Sequence, residues 1–370
     1  MNEAASRTAG AARSRGLLLS VALSLATIAI CLIGAEVVAR VAGVSVGTVQ
    51  INRGVVRISA DPKLGFELRP GASVASEVDY RINDDGFRGA PLAAKRAGVK
   101  RVAVFGDSIV FGYWVDERDA FPAQIGALLG PGTEVLNLGV PGYNLDQEVE
   151  LLRRRVDALQ PDVVVFGFCL NDLEGLLSFE YGLTQARREA RSGPRRFLES
   201  FLSFSRFAAW IEYRLTERDA RARFAAARNP IGGEIYDAKP ETLDAHLDAS
   251  FNTLAGTLGP KGIDGVIAIF PILGNRFENY PHRDLHARIA AAAGRAGLRT
   301  VDLLPCFSTY PFRDVRVDVV HPNPLGHRIA AHGAAEFLFE RMFPGELRPE
   351  ALNRSCASYR TDEFPAVRGY

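Results

Sequence analysis

The chain has 370 residues, of which 47% are apolar and 24% charged. Those values fit a globular protein and exclude both global disorder and a small disulfide scaffold. The 44 basic and 43 acidic side chains nearly cancel, for a formal net charge of +1, so the overall field does not draw in nucleic acid and no nucleic-acid partner is expected.

The first element is an apolar run. Gly16 to Ala35 holds no charged side chain, and Arg7, Arg13 and Arg15 precede it against Glu3 alone. Twenty helical residues span about 30 Å, the thickness of the bilayer hydrocarbon. The positive-inside bias places residues 1–15 in the cytoplasm, residues 16–41 as an uncleaved transmembrane signal anchor, and the rest across the inner membrane, periplasmic or extracellular. A cleaved signal peptide is the main alternative, but its apolar core is usually shorter, about 7–15 residues. Here Val37, Val38 and Val41 prolong the run beyond Glu36. A buried core helix is the third reading.

Residues 42–98 read as a short β-rich juxtamembrane segment, punctuated by DPKLGFELRPG and YRINDDGFRG, with Asp85–Gly86 as a turn between strands. From Val99 strands alternate with helices. KRVAVFGDS, TEVLNLGV, PDVVVFGFCLND, GVIAIFPI and RTVDLLP read as strands. Ala120–Leu129, Leu145–Leu159 and Pro324–Phe343 read as helices, the second with Val149, Leu152, Val156 and Leu159 at helical spacing. This alternation predicts an α/β fold: a three-layer α/β/α sandwich on a central, mostly parallel five-stranded sheet, spanning 99–345, with its site at the C-terminal strand ends. A helical insertion occupies 174–262, where Phe197, Phe201, Phe204, Ala208 and Ile211 recur at helical spacing beside Trp210. A helix packed on the domain is the favoured reading of it, ahead of a lid or a helix skimming the membrane surface. Residues 346–370 are a tail. An exported domain permits a Cys306–Cys356 disulfide, and two unpaired thiols fit the sequence equally well.

The chemistry-bearing residues lie at the strand ends. Gly106-Asp107-Ser108 ends the first strand and offers a serine in the expected crevice. The second strand runs into Gly142, whose N–H can serve as a donor where the backbone approaches a ligand closely. The third ends in Asn171-Asp172, an amide donor. Asp318-Val319-Val320-His321 precedes the last helix, and this spacing lets Asp318 hold one imidazole nitrogen of His321 while the other acts as a base. Gly43-Val44-Ser45-Val46-Gly47 fits the G-x-S-x-G pattern, but no sheet strand precedes it, and Ser45 is rejected as a nucleophile. No H-E-x-x-H, P-loop or Rossmann glycine signature occurs, and no C-x-x-C pair, so neither a metal nor a cofactor is expected.

Taken together, these blocks resemble the SGNH (GDSL-type) hydrolases over roughly Lys100–Phe343. Ser108, Gly142, Asn171 and His321 match the four namesake positions, and Asp318 matches the aspartate of the D-x-x-H block. The resemblance implies a flavodoxin-like fold and a serine esterase. Ser108, His321 and Asp318 would be its triad, with Ser108, Gly142 and Asn171 forming the oxyanion hole. Cys169 departs from the glycine many members carry two residues before the asparagine. The juxtamembrane stretches are similar to those of membrane-anchored bacterial members, some of which modify cell-surface polysaccharides. The expected substrate is therefore a carboxylic ester, with O-acyl groups on glycans as one candidate. An O-acyltransferase using the same residues is the first alternative. A non-catalytic glycan-binding protein on the same fold is the second.

Overall fold

The computed structural model describes residues 2–42, 54–74, 78–173, 240–274 and 276–365, together with 186, 187, 190, 205–208, 210, 211 and 214. Ser45, Phe197, Phe201 and Phe204 lie outside the described residues. The chain divides into two compact units, residues 1–50 with 193–215, and residues 51–192 with 216–370.

The first unit is built on α1, Asn2–Val41. Within it, Leu18–Val41 is long and apolar enough to cross a membrane, and its large side chains from Leu18 to Val41 are exposed. In the same unit Glu36 pairs with Arg40, Oε1 to Nε 2.7 Å, one helical turn apart.

The second unit starts with two short antiparallel hairpins. β1 (Val56–Ile58) pairs with β2 (Phe66–Leu68), and β3 (Ser73–Val74) pairs with β4 (Tyr80–Arg81). The Asp85–Gly86 turn follows β4. Asn83 Oδ1 accepts from the N–H of Asp85 and of Phe87, and Gly86 has φ +84°. The flanks of this turn, Ile82 and Arg88, pair across it, and Arg88 also bridges Asn137. The hairpin segment therefore seats on the edge of the main sheet.

That sheet is wholly parallel. Its strands are β5 (Lys100–Gly106), β6 (Thr133–Gly139), β7 (Val163–Phe168), β8 (Asp264–Ile269) and β9 (Arg299–Asp302), in the order β6-β5-β7-β8-β9. This is the flavodoxin-like order, which reverses direction between β5 and β7 and opens a crevice at their C-terminal ends. The strands are apolar on alternate residues toward both faces. Val102, Val104, Val163, Val165 and Val266 face one core, shared with Phe121, Ile125, Leu325, Ile329 and Leu338. Those helical residues come from Phe121–Leu129 and Pro324–Met342. Ala103, Phe105, Val164, Phe166 and Ile267 face the other core, beneath Leu145–Leu159, Pro240–Leu258 and Arg283–Arg295.

Pro240–Leu258 falls inside the stretch read from sequence as an insertion, yet it is a covering helix of the sheet. Leu243, Leu247, Phe251, Leu254 and Leu258 are buried in the second core. It is the crossover between β7 and β8 that a parallel connection requires. The tail is held by a Cys306–Cys356 disulfide, and Tyr359 is buried against His332, with its hydroxyl 2.8 Å from His332 Nδ1.

Candidate active site

Three strand ends are cut down to glycine where one short helix, Ser108–Phe111, sits across them. A Cβ on Gly106 or on Gly167 would lie 2.3 or 2.4 Å from Val110 Cγ2, and one on Gly139 would lie 2.2 Å from the Phe111 nitrogen. No side chain fits in any of the three places. Asp107 caps the turn, its Oδ1 accepting the Ile109 N–H at 2.8 Å. Ser108 is thereby held at the C-terminal end of β5, 8% exposed.

The far end of this turn is clamped by Arg88, a residue that sequence reasoning did not single out. Its Nη1 donates to Phe111 O at 3.0 Å and to Gly112 O at 2.6 Å, and its Nη2 donates to Val115 O at 2.9 Å. The guanidinium also lies over the rings of Tyr80 and Phe111. Burial holds the Arg88 pKa below its ordinary value, and the Tyr80, Glu117 and Asp116 groups oppose that drop. A cation at the carbonyl end of a helical turn complements its partial negative charge.

His321 reaches Ser108 from the other side. Its Nε2 is 2.8 Å from Ser108 Oγ, and its Nδ1 is 2.7 Å from Asp318 Oδ2. The carboxylate can only accept, so Nδ1 carries the proton, and Nε2 is left to accept from the serine hydroxyl. Asp318 Oδ1 also accepts the backbone N–H groups of Val320 and His321. Burial works to raise the Asp318 pKa, but the bond and charge of His321, with these two N–H groups, outweigh it and hold the carboxyl below its usual range. The imidazole stacks on Tyr113, centroids 5.2 Å apart at 27°.

Asn171 follows β7. Its Nδ2 donates to Asp107 Oδ2 at 2.8 Å, so Asp107 ties the serine turn to the third strand end. Ser108 Oγ is 3.3 Å from the same oxygen. Gly142 lies on the loop after β6 with φ +83°. Val140 N donates to Gly106 O at 2.9 Å, which ties that loop to the end of β5. Cys169 is fully buried in the core, so a small apolar side chain fills the place where glycine was expected.

Two further ionisable groups are buried close by. Burial, with the charge of Asp107 second, pushes the Glu148 carboxyl well above its usual value. Burial, with the nearby His321 and Arg88 charges, lowers His327 to about 3. His327 is therefore neutral at pH 7. Among the described residues no group of three or more His, Cys, Asp or Glu is placed to hold a metal ion.

The sequence matches the family model of the GDSL-like lipase/acylhydrolases over residues 104–329, which contain Ser108, Gly142, Asn171, Asp318 and His321. No curated protein matches the sequence. Several solved structures are similar to it. Est24, a carbohydrate acetylesterase from Sinorhizobium meliloti, is 14% identical over 66% of this chain and 100% of its own, with a TM-score of 0.39. The inhibitor-bound aryl esterase of M. smegmatis is 15% identical over 65% of this chain and 98% of its own, with a TM-score of 0.38. LAE5, an alpha/beta hydrolase from the metagenome of Lake Arreo, Spain, is 17% identical over 65% of this chain and 96% of its own, with a TM-score of 0.41.

Proposed function

Because the chain belongs to the GDSL-like lipase/acylhydrolase family and so is a hydrolase of ester bonds, we propose that Ser108, His321 and Asp318 are its nucleophile, general base and orienting carboxylate. The carrying observation is the continuous relay from Ser108 Oγ through His321 to Asp318, with both hydrogen bonds under 3 Å. His321 Nε2 takes the hydroxyl proton as Oγ attacks the ester carbonyl. The tetrahedral intermediate collapses to an acyl-serine, and the departing alcohol takes the proton back from His321. Water, deprotonated by the same nitrogen, then releases the acid and restores the serine. Asp318, held ionised, fixes the tautomer and stabilises the imidazolium, and Tyr113 offers that cation a ring face.

The oxyanion falls to the N–H groups of Ser108 and Gly142 and to the Asn171 amide. An amide nitrogen carries two N–H bonds, so Asn171 keeps one on Asp107 and turns the other toward the developing charge. The bond to Asp107 pre-sets its rotamer and reduces the reorganisation left for the transition state.

Residues 16–41 serve in this reading as the transmembrane anchor, with residues 1–15 cytoplasmic and the hydrolase domain on the far side. The arginines before the apolar run support that orientation, and the Cys306–Cys356 disulfide suits an oxidising compartment. A tethered domain meets esters at the cell surface, O-acylated glycans among them. Ser108→Ala is expected to lower hydrolysis of p-nitrophenyl acetate by about 10⁴-fold or more and to abolish labelling by a fluorophosphonate probe. Retained activity would overturn the assignment. A series of acyl chain lengths then separates acetyl esters from lipid-like substrates.

A further inference from the structure

The first unit holds a contact that neither the hydrolase chemistry nor the anchor requires. Glu36 directly follows the uncharged run Gly16–Ala35. Its pairing with Arg40 places it in the last turns of the span Leu18–Val41, near the edge of the hydrocarbon, because such a pair is costly any deeper. The Glu36 carboxylate is bound as well by residues far along the chain. Ser205 Oγ donates to Oε2 at 2.7 Å, Arg206 N to Oε1 at 3.1 Å and Phe207 N to Oε2 at 3.0 Å. Ser205 Oγ in turn accepts the Ala208 N–H at 3.0 Å and starts a helical turn. Phe207 and Trp210 stack with centroids 6.2 Å apart, while Trp210 and Ile211 are 40% and 38% exposed.

We infer that the segment carrying Ser205, Phe207, Trp210 and Ile211 is a second membrane contact, lying in the headgroup layer on the side of the bilayer where Glu36 emerges. The inference rests on the anchored reading above. Glu36 sets the depth of this segment, and that depth is where tryptophan is favoured, with an apolar ring and a polar N–H to place. A short helical segment does not persist alone in water. The Glu36 cap and burial of the aromatic pair among lipid headgroups together give it a reason to form. Lipid is favoured over a protein partner as the occupant because Leu32, Ile33, Val37 and Val38 of α1, near the same level, are also exposed.

The test uses the full chain in liposomes containing brominated phosphatidylcholine. The chain has two tryptophans, so the emission of the parent minus that of Trp210→Phe isolates Trp210. The expected result is that bromolipid quenches this component and aqueous iodide does not. Glu36→Ala should move it toward iodide quenching and a red-shifted emission. A Trp210 component quenched by iodide alone in the parent overturns the inference, and so does one shielded from both quenchers, which indicates protein contact. Alkaline carbonate extraction and ester hydrolysis are read on the same sample. Protein released by carbonate defeats the anchor and this inference with it, whereas retained, active protein with an unquenched Trp210 defeats this inference alone.

Discussion

The turn carrying Ser108 and the loop carrying Asp318 and His321 meet at one hydrogen bond but are secured in different ways. The serine turn is enclosed: Asp107 is 0% exposed, three strand ends are cut to glycine beneath it, and Arg88 binds its carbonyls. The histidine loop is a surface hairpin closed by the Arg316–Pro322 bridge and the Val317 N–H on His321 O. The side chain of Asp318 is 40% exposed. Rigidity on the first side comes from the folded core, so damage there should register in stability and rate together. On the second side it comes from hydrogen bonds within the loop and to Leu273, so damage to a bond within the loop should register mainly in rate.

The most severe break of that contrast is Asp318→Asn. It removes the acceptor that fixes the His321 tautomer, and kcat/KM is expected to fall by about 10³-fold. The melting temperature should stay close to that of the parent, as a half-buried surface position predicts. Reduction of the Cys306–Cys356 disulfide, which belongs to neither side, provides the opposite control. It frees a loop with a sequence separation of 50 and should lower unfolding free energy by about 4 kcal/mol while leaving the rate at 25 °C unchanged. Arg88→Met should affect both quantities. Loss of the bonds to three buried carbonyls is expected to cost about 3 kcal/mol in denaturant unfolding and to lower kcat more than it raises KM. Arg88→Lys should recover part of each.

The smallest effect concerns pH. His327 has a folded pKa below its unfolded value, so between about pH 6.5 and 3 the unfolded chain binds the extra proton and stability falls as pH falls. Glu148 has a raised folded pKa, so its contribution is complete below pH 4.5 and is lost as pH rises. Between about pH 4.5 and 6.5 the two slopes oppose each other. Denaturant melts of the parent should therefore change less with pH than those of either single variant. Those of His327→Leu should fall as pH rises, and those of Glu148→Gln should climb.

The five strands were legible in the sequence because buried parallel strands are continuous apolar runs. The relay residues were legible because each lies at a strand or helix boundary beside a turn. Pro240–Leu258 was readable in principle, since Leu243, Leu247, Phe251, Leu254 and Leu258 repeat at helical spacing, but the long interruption before it absorbed it. Arg88 left no such trace. INDDGFRG reads as a turn, and the groups Arg88 binds are backbone carbonyls, which every residue carries. The bond between Asn171 and Asp107 was equally silent, because it joins residues 64 positions apart in sequence. Sequence pattern reports what a residue needs from its own element, and these two contacts are between elements.

The three glycines beneath Val110 and Phe111 also affect the order in which the protein becomes dangerous to esters around it. They lie at the ends of β5, β6 and β7, three successive strands that must all pair before the serine turn has a seat. The histidine loop arrives only with the last part of the domain. A chain still being made, or one caught partly folded, holds Ser108 on a floppy peptide with an ordinary hydroxyl. On the proposed mechanism, the serine is armed only when the sheet is complete.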